Sequence, residues 1–543
     1  MRATIGMFFA NEAYMNTTQL RQRTLSPTLR SIVSGRNRSQ NLLLLVVLFF
    51  FFGLSIITPQ PSGLRVFRSS IGTTATISRH GITWYFGRDV EYGQFVNGDY
   101  WVIGPVSIVG IDPMSINTSG RVINGSMVNP SHGQSQGFDS APNAGGFSTS
   151  NNVGRPEGRD LTPDNPLLLQ PGSSLVSTRS AKEAGSIPII IDAAVLTVVE
   201  IAPPQGSFRP PYSGMDKQPR WDRNDIRWNL WNDNKVDILP QAVANMPAIS
   251  TMERRVERVW LDYMGGTWTG RSFHPANNMQ DYGQRMAHES GEIALALLLD
   301  IPQSEIETLM IRYLQLGIDW YGVMKAAPSL YFTSTQGHFW YGGGGHGHGR
   351  KWPMLFAGIM LNDTDILEFT NAGGYRHRWN SPDWVGEPGH PVFQEEQQTF
   401  YVTQEDVDQA RHDADGRYRQ PYTESMIGLP EWGESHVANP RRDGANWSVR
   451  YRDIMSNSIM GHVLAAIMFI NTGQNGATAR ELWNWEAIFD YTDRWVSHRD
   501  DTSSDEFGAH GRLDGGANRA RQFFIDMWDT YRERADYLPQ WKQ

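Results

Sequence analysis

Between residues 70 and 215 the apolar positions come in short runs separated by turn residues. Gly81-Ile-Thr-Trp-Tyr-Phe86 and Gln94-Phe-Val-Asn-Gly-Asp-Tyr-Trp-Val-Ile-Gly104 carry β-branched and aromatic residues on either side of a turn. Asn97-Gly98 is the dipeptide that tight turns favour, because both residues tolerate positive φ. Val106–Ile111 and Ile187–Ile201 add further strand-like runs, with Pro and Gly every few residues. The pattern predicts a β-sandwich-like domain over 70–215. Residues 130–165, rich in Gly, Ser, Asn and Pro, are expected as a long surface loop.

After a Trp-rich polar linker, 216–248, the period becomes helical. The spacing predicts helices over Thr251–Met264, Gln280–Leu299, Ser304–Met324, Trp352–Leu361, Trp447–Ile470, Thr478–Val496 and Ala517–Asp536. Long paired helices suggest helical hairpins arranged in an (α/α) toroid-like domain over 249–543. A polar stretch, 371–445, interrupts them and reads as a lid or cleft wall. The fold class expected is therefore α+β, β-rich part first.

The amino terminus reads as an address. Residues 1–41 carry Arg2, Arg21, Arg23, Arg30, Arg36 and Arg38 against one acid, Glu12. The apolar run Leu42–Ile57 follows, so 42–58 reads as a signal anchor or a cleaved signal peptide. The basic tail should stay cytoplasmic and the rest be exported, to the cell surface, periplasm or medium. The membrane is a partner if the segment is uncleaved.

Composition narrows the chemistry. With no cysteine among 543 residues, disulfides, thiolate zinc sites and cysteine nucleophiles are excluded. A formal net charge of -9 argues against a nucleic-acid binder. Twelve of the 14 histidines, all but His80 and His132, lie between His274 and His510, which puts candidate proton-transfer groups in the helical half.

Three constellations stand out there. In Asn277–Leu299, Asp281, Arg285, His288 and Glu292 follow helical steps of four, three and four; Asn278, Tyr282, Arg285 and Glu289 form an adjacent line. Met286, Ile293 and Leu297 mark the buried face, and the polar face could equally be an interhelical ion-pair network. The second is Gly342-Gly-Gly-Gly-His-Gly-His-Gly-Arg-Lys351, a loop open to close backbone approach. Arg350 and Lys351 would add positive charge at the following helix start, where anions are favoured. His346 and His348 could hold a divalent metal, although no third ligand has diagnostic spacing. The third holds Glu431, Glu434 and His436, then Arg450, Tyr451 and Arg452 just before an apolar helix, a pattern that capping and ion pairing would also produce.

A β-rich part joined to helical hairpins, with Asn277-Asn278, Tyr282, Arg285, His288, His346-Gly347-His348 and Arg450-Tyr451-Arg452 at element ends, resembles polysaccharide lyases of the alginate-lyase and heparinase kind. In that family the β domain commonly follows the toroid; here it precedes it. The resemblance implies β-elimination on an anionic, uronic-acid-containing polymer without a cofactor. Asn278 and Arg285 would neutralise the uronate carboxylate. Tyr282 or His288 would act as base or acid, and His346 with Arg350 would form the far wall. Asn277, His348, Lys351, Glu434, His436, Arg450 and Tyr451 would line the substrate path. The alternatives are a glycoside hydrolase using two of Asp281, Glu289, Glu431 and Glu434, and an anchored carbohydrate-binding or surface-layer protein.

Overall fold

The computed structural model describes residues 71–543 except 132–134, 157–158, 184–185, 265–269, 327–339, 341–344, 373–392, 409–410, 413–417, 420–421, 433–451, 500–512, 514–518 and 535–543. The basic tail and the apolar run Leu42–Ile57 lie outside the described residues. Among the described residues no helix is long and apolar enough to cross a membrane.

The β part comprises β1 (Gly72–Arg79), β2 (Ile82–Gln94), β3 (Tyr100–Ile103), β4 (Val106–Asp112), β5 (Ile116–Thr118), β6 (Arg121–Ile123), β7 (Ser126–Val128), β8 (Leu167–Leu169), β9 (Ser173–Ser180) and β10 (Ile190–Val199). Eight of these form one sheet in the order β7-β9-β10-β3-β2-β4-β8, with β1 also on β2. The long β2 explains the shape. Its start pairs with β4 and its end with β3, while β1 runs along its other edge with a bulge between Thr74 and Thr76. Bulges bend strands and increase twist. The two halves curl around a shared core of Trp84, Phe86, Val102, Ile108, Leu175 and Leu196. The Trp84 indole N–H reaches across it to Ser177 Oγ at 3.0 Å. Two separate sheets were expected from the strand pattern; one curled sheet does the same job of enclosing an apolar layer.

The helices are α1 (Trp228–Asn234), α2 (Pro240–Val243), α3 (Ile249–Arg255), α4 (Gly283–Ala296), α5 (Gln303–Lys325), α6 (Lys351–Leu361), α7 (Thr364–Thr370), α8 (Gln394–Gln398), α9 (Gln404–Asp408), α10 (Arg452–Met468), α11 (Ala479–Trp483), α12 (Glu486–Ser497) and α13 (Gln522–Tyr531). Helix α10 is buried on every side beyond its first turn, which its apolar composition all round requires. It packs lengthwise on α4. The two backbones meet at Gly291 and Gly461: a Cβ on Gly461 would lie 3.1 Å from the Gly291 carbonyl carbon and 2.7 Å from the Phe524 ring. The expected single helix Thr478–Val496 is broken at Asn484, which takes the left-handed conformation (φ 58°) that ends α11.

The β and helical parts share one core, in which Met127, Phe138, Val176 and Val195 pack with Trp260, Met286 and Tyr313. The stretch expected as a linker, 216–248, contributes Trp221, Leu230 and Trp231 to it. The Trp231 N–H donates to the Leu297 carbonyl at 2.5 Å. The stretch expected as a surface loop, 130–165, buries Phe138 and Ala144, and Asp139 accepts both nitrogens of the Arg121 fork at 2.8 Å. Large apolar side chains and buried ion pairs outweigh the loop-like composition in both places.

The junction is locked by Arg209, which is fully buried. Its Nε donates to Asp99 in the β2–β3 turn at 2.7 Å, and its Nη1 to Asp319 on α5 at 2.9 Å. The Gln315 carboxamide brackets its backbone, with both bonds at 3.0 Å. Removing the guanidinium would take the charge partner from buried Asp319 and leave buried Asp99 with Arg79 alone. Arg209→Ala is expected to cost roughly 3–5 kcal/mol of unfolding free energy, read by chemical denaturation. A loss under about 1 kcal/mol would show that the junction does not depend on this cluster.

Candidate functional site

Helix α4 begins later than its periodicity predicts. Tyr282 is extended (φ -142°, ψ 134°) and the helix starts at Gly283. The cause is the glycine loop: the Gln284 N–H, which would otherwise close an earlier helical turn, donates to the Gly345 carbonyl at 2.8 Å. Gly283 lies against the His346 carbonyl with no room for a Cβ. Asn278, Asp281 and Tyr282 are therefore not on the helix, and the four-residue steps drawn through them do not form a face.

Each residue singled out from the sequence now has a place. Asn277 is exposed, and its amide donates to Asp192 at 2.9 Å, beside Arg258. Asn278 is buried and donates to the carbonyls of Arg255 (3.4 Å) and Arg258 (3.1 Å). Both residues tie the approach to α4 onto neighbouring backbone. His288 is buried in the core, its ring 5.8 Å from Phe524. Burial, reinforced by the charge of Arg521, lowers its pKa to about 3, and its Nε2 has no hydrogen-bond partner among the described residues. The sequence placed His288 on the cleft side of α4; the structure corrects this, because α10 and α13 cover that side.

His348 is also buried, bonded through Nε2 to Ser458, with its pKa held well below the usual value by burial and by Arg350. Arg350 and Lys351 are buried and already neutralised, so the expected anion site at the start of α6 is occupied by the protein's own carboxylates. Arg350 donates to Asp262 at 2.9 Å and to the carbonyls of His346 and His348, both at 2.8 Å. Burial alone would raise the Asp262 pKa, but Arg350 and His274 hold it below the usual range. Lys351 pairs with Glu396. Burial pushes Glu396 up to about 7 and draws Lys351 down. Glu434, His436, Arg450 and Tyr451 lie outside the described residues. Of the expected lid, 371–445, the described pieces 393–402 and 430–432 pack inward: Glu395, Glu396, Glu431 and Trp432 are all buried.

Two of the selected residues come together at the surface. The Tyr282 and His346 rings meet edge to face, 4.7 Å apart at 87°, and both are half-buried. The Tyr282 oxygen accepts the Gly345 N–H at 2.7 Å. One turn along α4, Arg285 is exposed and paired with Asp281 at 2.9 Å. The arrangement supplies a phenol, an imidazole and a guanidinium at the start of one helix.

Sequence reasoning missed Asp262 and His274, the partners behind Arg350, and His462, whose Nε2 lies 3.0 Å from Ser290 Oγ between α4 and α10. It also missed the buried residues Gln394, Glu395, Glu396 and Gln398 of one polar run. A signal existed for that run: six consecutive polar residues between Phe393 and Phe400 that lack Gly and Pro. Among the described residues no group of three or more His, Asp or Glu is arranged to hold a metal ion. The chain matches no family model, and comparisons with curated proteins and with solved structures likewise gave no match.

The packing predicts the effect of one substitution on stability. Gly349 has φ +87°, and a Cβ there would lie 2.5 Å from Ala287 Cβ. Gly349→Ala should cost about 1–2 kcal/mol for the left-handed backbone and about 1–3 kcal/mol for the clash; unchanged unfolding free energy would contradict the loop geometry.

The buried histidines set a pH dependence. His288 and His462 fall from 6.5 to about 3 because burial disfavours the cation. Below about pH 6.5 the unfolded state binds the extra protons, so each histidine removes about 1.4 kcal/mol of stability per pH unit of acidification, down to its folded pKa. Glu396, raised to about 7, acts oppositely between that value and its usual 4.5. A His288→Gln comparison isolates the histidine: its stability should fall less steeply than wild type between pH 6 and 4. Parallel curves would contradict the buried neutral assignment.

Proposed function

We propose that this chain is an exported polysaccharide lyase that cleaves a uronic-acid-containing polymer by β-elimination, with its helices belonging to an (α/α) toroid. The observation that carries the reading is the Tyr282–His346 contact, two proton-transfer groups edge to face at 4.7 Å and both half-buried. Exposed Arg285 lies within one helical turn.

β-Elimination needs little more than this. Arg285 pairs with the uronate carboxylate and lowers the energy of charge that develops on it as C5 loses its proton. One member of the Tyr282–His346 pair removes that proton. The electrons form the C4–C5 double bond, the C4–O bond breaks, and the leaving oxygen takes a proton from the other member. Each positioned proton transfer contributes ~10²–10⁴-fold. Arg285, whose side chain is exposed, must first exchange Asp281 for the substrate. No step uses a cofactor. The basic tail and apolar run ahead of residue 60 support export, with the cell envelope or medium as the place of action.

The hydrolase reading draws less support. It needs two carboxyl groups facing one glycosidic oxygen across ~5–9.5 Å. Glu289 is buried against Gln280 and Arg255, and Glu431 is buried against Arg452. Asp281 pairs with Arg285, and Glu434 lies outside the described residues.

Purified protein should generate ultraviolet-absorbing unsaturated ends from at least one of alginate, glucuronan, heparan-type, chondroitin-type or ulvan-type polymers. New reducing ends without that chromophore would replace the lyase by a hydrolase; binding without cleavage would replace it by a carbohydrate-binding protein. Tyr282→Phe and His346→Ala are each expected to lower turnover by at least ~10²-fold. Arg285→Ala should weaken polymer binding as well as rate, having lost a charge-assisted contact. Full turnover in both the Tyr282 and His346 variants would remove the pair from the chemistry.

A further inference from the structure

Glycines at 345, 347 and 349 alternate with His346 and His348, so the backbone of this loop has little steric restraint of its own. Whatever fixes His346 must act on the main chain from outside. Tyr282 and Arg350 account for the Gly345 N–H and for the carbonyls of His346 and His348. The N–H groups that bracket His348 go elsewhere: Gly347 donates to Gln394 Oε1 at 2.8 Å, and Gly349 to Glu395 Oε1 at 2.7 Å.

We propose that Gln394 and Glu395 are positioning residues for His346, holding the loop main chain through these two hydrogen bonds. The inference rests on His346 being the reactive imidazole. Burial argues that these side chains are not ordinary core filling. Gln394 and Glu395 are both fully buried, and unpaired polar groups there would cost more than apolar ones. The two contacts fall on alternate residues of the loop and come from consecutive residues of α8, which gives a fixed register. Gln394 is itself oriented by its amide bond to Gln398 Oε1 at 2.8 Å, and Gln398 in turn accepts the Trp432 N–H at 2.8 Å. The chain of bonds therefore runs from Trp432, through α8, to the loop that presents His346 against Tyr282.

Hydrogen–deuterium exchange on the full chain reads the two loop bonds without any substrate. Wild type should protect the amides of Gly347 and Gly349. Gln394→Ala and Glu395→Ala should expose them at least ~10-fold faster while peptides from α5 and β10 keep their protection. Glu395→Gln, which retains an acceptor oxygen, should restore protection and so separates loss of the bond from loss of the fold. On a polymer that wild type cleaves, both alanine variants should lose at least ~10-fold in kcat with KM within about twofold, and Glu395→Gln should recover. Unchanged loop exchange in both alanine variants would overturn the proposal, as would faster exchange with full kcat. If wild type cleaves no polymer, the lyase reading falls separately; the proposal for the loop then stands or falls on exchange and its rescue by Glu395→Gln.

Discussion

A guanidinium in the middle of a protein has to be surrounded by acceptors, and Arg350 sets the terms for everything around it. It is buried, paired with Asp262, bonded to the carbonyls of His346 and His348, and 5.6 Å from the centre of the Trp340 ring. Taking one charge out of water costs several kcal/mol unless such partners are present. The protein meets that requirement in part with the backbone of the glycine loop. Because the loop is fixed to Arg350, its Gly345 carbonyl can delay the start of α4, its Gly349 can pass close to Ala287, and His346 can meet Tyr282.

The same principle recurs across the molecule. Arg209 joins the β2–β3 turn to α5 through Asp99 and Asp319, Lys351 joins α6 to α8 through Glu396, and Arg452 joins α10 to Glu431. Each pair links segments distant in sequence. Buried pairs of this kind add little net stability compared with apolar packing, but they penalise any arrangement that separates the partners. They register a curled sheet and a set of helices on one another. Tyr282 and His346, the pair proposed to react, sit half-buried beside this network, as a site built on fixed elements requires.

What could be read from the sequence followed from what each signal measures. The apolar face of α4 was legible: Met286, Ile293 and Leu297 are all buried, as their spacing predicted. The β-rich first part and the helical second part were legible for the same reason, since the period of burial reflects local backbone geometry. The other face of α4 was not. Polar residues at helical spacing face either water or other polar groups inside a protein, and periodicity does not separate the two; His288 turned out to face α10 and α13. Tyr282 and His346 were both selected, yet nothing within either segment says that they touch. That contact comes from bonds between residues about sixty positions apart, and the late start of α4 comes from the same bonds. The Trp-rich linker and the Gly/Ser-rich loop were misread because composition reports the average of a segment, whereas Trp231 and Phe138 anchor theirs individually.

The central claim is that, of His288, His346 and His348, the imidazole available for chemistry is His346, and that the other two are parts of the core. Carbethoxylation of the native protein, with each histidine's modification rate followed by peptide mass spectrometry, tests it most directly. The account predicts that His346 reacts readily, while His288 and His348 react only after the protein is unfolded. Modification of His288 or His348 in the native protein at the rate of His346 would contradict it.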